Sequence, residues 1–236
     1  MPCRLPGDEA VRWRCLDSLA WALAVLACSL YLPSVGRTVL GGLSLRYMVP
    51  VLWATGSVLC LGEPAGLAGP WQGWRLRAAW LAVAGLAPFF AWWLRCSDSL
   101  YLAAGAAAAL AAAAWALLET AYLVSQVARS RGLGALALDT LGVRVGVLYL
   151  LVIPVLSLWV TFVAALAIGW AADPGDWLRF WRQIPTWGRT LLLYGPLLAL
   201  LNLARLLLRA SGRVCRLLVS GPALPGDASH GVTRPL

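Results

Sequence analysis

Few side chains in this chain combine chemical reactivity with a position inside an apolar segment. Glu119, Asn202 and Arg205 lie within long apolar runs, and Asp17 stands at the start of another. A charge near the centre of a membrane-spanning helix costs about 2.5–3.5 kcal/mol, and less toward its ends. Such a group is retained where it pairs, contacts a solute or reaches the headgroups. Glu119 and Arg205 are opposite in sign, and their depths along their runs differ by about four residues, or about 6 Å at helical rise. The expectation is that Glu119 faces the bundle interior with Arg205 as its charged partner. Asn202, on the same face as Arg205, would add a hydrogen bond. These three residues are the candidates for contact with a substrate or ion. The alternative is structural: Arg205 snorkels to the headgroups, and Glu119 does likewise or pairs with it.

A second group lies between the fourth and fifth apolar runs. Asp139 stands among Arg129, Arg131 and Arg144 in a stretch rich in Gly and Leu, which reads as a cytoplasmic loop. Asp139 and Arg144 are the candidates for a coupling or partner surface. A third group follows the turn sequence Asp173-Pro174-Gly175-Asp176. Trp177, Phe180 and Trp181 fall on one helical face by i, i+3, i+4 spacing. A short amphipathic helix near 176–183, lying in the outer interface, fits that pattern. It serves either as an aromatic belt or as a docking surface for another protein.

Several chemistries have no residues to carry them. The one histidine, His230, lies near the C-terminal end of the sequence, so a His-ligated zinc or haem site inside the bundle is not expected. The six cysteines form no CxxC pair. There is no P-loop and no HExxH. No metal or cofactor is expected, and the balance leans away from an enzyme. The remaining catalytic reading is a lipid enzyme with Glu119 as acid or base. Val25-Leu26-Ala27-Cys28 loosely matches a lipobox, but the residues after Cys28 stay apolar, so an uncleaved first helix is the better reading.

The elements that must position these residues follow from composition. Of 236 residues, 61% are hydrophobic and 12% are charged. Soluble domains carry about 25% charged residues, so this chain reads as an all-α, polytopic transmembrane bundle. Six spans are expected: Leu16–Val35, Tyr47–Gly62, Ala78–Leu94, Leu100–Leu118 continuing helically to about Ala128, Val145–Ala172 and Thr190–Leu208. Five is the alternative if the short second run does not cross. Thr38–Leu45 reads as an interfacial or re-entrant piece. Residues 1–15 form a short N-terminal segment, 16–208 the bundle, and 209–236 a basic and then disordered tail.

All 19 basic residues are Arg, and the net charge is +9. Under the six-span topology, twelve arginines flank the spans on the side that holds both termini and six on the other. That places both termini in the cytoplasm. The excess charge is assigned to anionic headgroups and not to nucleic acid. Eleven alanines between Ala103 and Ala116 give the fourth span a smooth surface, and Gly142-xxx-Gly146 marks a possible close crossing. Pro154, deep within the fifth run, predicts a kink.

Function is expected to be that of a non-catalytic subunit, scaffold or assembly factor in a larger complex of the bacterial cytoplasmic membrane, contacting lipid and other membrane subunits. The alternative is the permease component of a transporter energised by a separate subunit.

Overall fold

The computed structural model describes residues 7–31, 39–40, 43–61, 70–93, 100–130, 132–157, 160, 164 and 182–220. Among them are six helices: α1 (Gly7–Tyr31), α2 (Leu45–Cys60), α3 (Pro70–Trp93), α4 (Leu100–Ser130), α5 (Gly134–Val147) and α6 (Thr186–Ser220). Three stretches are long and apolar enough to cross a membrane: Ala104–Ser130, Gly134–Ser157 and Thr186–Gly212. Tyr47–Cys60 in α2 is apolar but shorter. The 16 residues of α2 reach about 24 Å at 1.5 Å per residue, against a hydrocarbon core of about 30 Å.

Each helix packs against its sequence neighbours, and α6 returns to pack on α1. The six helices therefore close into a ring. Short connections force antiparallel neighbours, and the pairings agree: residues 75 and 89 of α3 meet 119 and 105 of α4. Leu19, Leu23, Leu136, Leu203 and Leu207 are fully buried in the core. Buried Ala106, Ala109, Ala112, Ala114 and Ala116 make α4 the most enclosed of the three long apolar stretches. Small side chains let its neighbours approach closely. Gly105 receives the Phe89 ring so tightly that a Cβ there would lie 2.5 Å from Phe89 Cδ1.

Several elements differ from the sequence-based expectation. The helices of the first and third spans begin earlier, at Gly7 and Pro70. Thr38–Leu45 contains a two-residue hairpin pairing Val39 with Ser44 and Leu40 with Leu43. The stretch around Asp139 is helix and not loop. α4 is closed off by Gly132, just past its end, whose φ of 68° suits glycine. Leu133 N–H donates to Ala128 C=O at 2.8 Å and Gly132 N–H to Arg129 C=O at 3.1 Å, a Schellman closure. α5 then starts at once. The basic segment after 208 is also helical as far as Ser220.

Past Val147, the fifth helix passes through a π-helical turn, Leu148–Val152, and is helical again through Ser157. Pro154 explains the irregularity. It has no N–H for the carbonyl of Leu150, and its ring crowds that carbonyl. The turn widens, and Ile153 N–H donates five residues back to Leu148 C=O.

Candidate functional site

Polar side chains gather toward one end of the ring and link neighbouring helices. Between α3 and α4, Arg75 Nη2 contacts Glu119 Oε1 at 2.5 Å. Trp115 Nε1 donates to the same oxygen at 3.1 Å, one turn earlier on α4. The Glu119 side chain is 9% exposed and that of Arg75 is 52% exposed. The carboxylate is thus inside the ring and its cation reaches outward. Arg75, not Arg205, is the partner of Glu119. α4 and α6 do touch, but Glu119 is buried inside the ring and Arg205 stands on the exposed face of α6. Arg205 and Asn202 are both exposed on the outside of α6.

Arg75 stands just before the third apolar run and reads from the sequence as a loop arginine. One local signal identifies it. In an antiparallel hairpin, residues equidistant from the turn meet, and Arg75 and Glu119 each lie 22 residues from Ser97.

The remaining interfaces carry ties of the same kind. Ser18 of α1 contacts Ser57 of α2 at 2.9 Å and accepts from Trp53 Nε1 at 2.8 Å. Thr55 of α2 donates to Trp80 C=O of α3 at 3.3 Å, and Trp80 Nε1 donates to Thr120 of α4 at 3.2 Å. Arg144 of α5 lies over the Tyr122 ring of α4, 5.3 Å from its centroid. Arg209 of α6 pairs with Asp139 of α5 at 3.2 Å. Ser211 of α6 donates to Asp17 of α1 at 2.5 Å. Every neighbouring pair in the ring therefore shares a polar contact. In an apolar surround such contacts set helix order and rotation more sharply than dispersion alone.

The ring interior on the other side of these ties is apolar. A pocket of about 150 Å³ lies there. Leu23, Val51, Trp80, Leu117, Leu151 and Leu200 bring all six helical segments to its wall. Its apolar lining suits small apolar groups.

Asp139 and Arg144 thus serve as ties on α5. Trp177, Phe180 and Trp181 lie outside the described residues. Gly142 and Gly146 have nothing within 4 Å of a built Cβ, so no helix among the described residues crosses there.

No protein-family model, curated protein or solved structure matches this chain.

Proposed function

We propose that the chain is a non-catalytic integral membrane subunit, a scaffold or assembly factor of a larger complex. In this reading it spans a bacterial cytoplasmic membrane six times with both termini inside, consistent with the arginine asymmetry.

The observation that carries the reading is the outer face of the fifth helix. Its most apolar stretch is 22% buried, against 50% in α4 and 41% in α6. Leu138, Leu141, Val145 and Tyr149 are exposed along it at helical spacing. Gly142 and Gly146 open the same side to close approach. Small residues between larger apolar ones suit a crossing helix from another chain. The polar ties support the same reading, because they account for Glu119, Asp17, Asp139 and Arg144 as structural contacts. Purification of the intact chain from membranes in mild detergent tests it. A specific membrane protein should co-migrate and be lost on Gly142→Leu or Gly146→Leu. Migration as a lone chain from native membranes would overturn the reading.

A permease is the second reading, supported by the central cavity. Its lining suits only an apolar solute, and flux of such a solute in vesicles would favour it.

A further inference from the structure

We propose that the groove between α1 and α6 binds one anionic phospholipid, with its phosphate on Arg205 and Arg209 and an acyl chain along the groove. This goes beyond the subunit reading and does not depend on it. The groove encloses about 560 Å³ and is lined by Ala24, Leu201, Ala204, Arg205, Leu208, Arg209 and Gly212. Ala24, Ala204 and Gly212 leave it deep, while Leu201 and Leu208, each 39% exposed, form apolar edges open to the outside.

The polar and apolar parts are ordered along the helix axis. Arg209 lies near the end of the bundle where Ser211 meets Asp17. Leu201 is eight residues back, about 12 Å at helical rise, toward the middle of the bundle. A phosphate at the arginines would therefore send its hydrocarbon along Leu208 and Ala204 toward Leu201 and Ala24. That is the direction an acyl chain takes from a headgroup into the bilayer. A free phosphate or soluble anion would leave this apolar length uncovered.

Charge favours a single negative group. Arg205 is exposed and has no carboxylate partner among the described residues. Arg209 shares Asp139 at 3.2 Å. On α1, Asp17 accepts the Ser211 hydroxyl at 2.5 Å. Asp139 offsets Arg209, and the Arg205 guanidinium is left to meet an incoming anion. A phosphodiester supplies one negative charge and the acceptor oxygens that guanidinium forks use.

The test uses the full chain, purified in detergent and titrated with phosphatidylglycerol or phosphatidylcholine of identical acyl chains. Bound lipid is counted by native mass spectrometry. Phosphatidylglycerol should be retained in preference, at one molecule per chain. Arg205→Gln should weaken it about fivefold, the share of one basic residue at an anionic surface. Arg129→Gln, exposed but outside the groove, should leave it unchanged. Gly212→Leu places a side chain where a Cβ meets nothing within 4 Å. It should lower retention of both lipids without lowering the melting temperature. Equal retention of the two lipids by the native chain would overturn the proposal, as would unchanged phosphatidylglycerol affinity in Arg205→Gln. A second copy of the chain, released by Arg205→Gln while lipid is not, would also overturn it.

Discussion

The carbonyl oxygen of Leu150 lies against Gly195 of α6, in the space any other residue there would fill with its Cβ. It is the carbonyl that Pro154, four residues on, leaves without an α-helical donor. The proline and the glycine thus act on one atom from two helices. One displaces the carbonyl from its ladder, and the other lets the neighbouring backbone come close enough to cover it.

Gly195→Ala should therefore destabilise the bundle by about 1–3 kcal/mol, the usual cost of overpacking. Gly56→Ala and Gly85→Ala, whose new methyl groups meet nothing within 4 Å, should be neutral or gain about 0.5–1 kcal/mol from helix propensity. Adding Pro154→Ala to Gly195→Ala should recover part of the loss, because it returns a donor to Leu150. Thermal unfolding of the four variants in one detergent reads all of this.

Arg75→Ala leaves Glu119 inside the ring with only the Trp115 donor. The expected loss is about 1–3 kcal/mol, toward the low end because Arg75 is half exposed and screened. Glu119→Gln keeps an acceptor for Trp115 and should cost less. The double variant Arg75→Met, Glu119→Leu should be more stable than Arg75→Ala, as found when buried ion pairs are replaced by apolar groups. The same melting assay checks the order.

Gly105→Ala should cost about 1–3 kcal/mol by driving a methyl group into the Phe89 ring. That ring also meets Trp92 and Tyr101 edge-on, at centroid distances of 5.9 and 5.7 Å. Shortening the ring in Gly105→Ala, Phe89→Leu should restore part of the stability. A loss that is simply additive over the two substitutions would show that the contact is not the cause.

Gly142→Leu and Gly146→Leu should leave the melting temperature within about 0.5 kcal/mol equivalent of the native chain, since neither position is packed within it. Loss of a co-purifying chain without loss of stability is the expected signature of an external crossing.

Much of the architecture is local and so was legible in the sequence. Apolar run length shows the helices from 100 to 130 and from 186 onward, and Pro154 marks the irregular turn because a missing N–H acts on a carbonyl four residues away. The charge of Asp139 misled the boundary of the fifth helix. The helix runs through it, with Leu136 and Thr140 buried while Asp139 turns toward Arg209. Partner choice is not local. Glu119 has arginines at compatible depths on both α3 and α6, and depth along a run is all that a sequence supplies. Which one it meets depends on the order of helices around the ring and on the rotation of each about its axis. The antiparallel pairing of α3 with α4 sets Arg75 against Glu119, and the rotation of α6 leaves Arg205 on its exposed face.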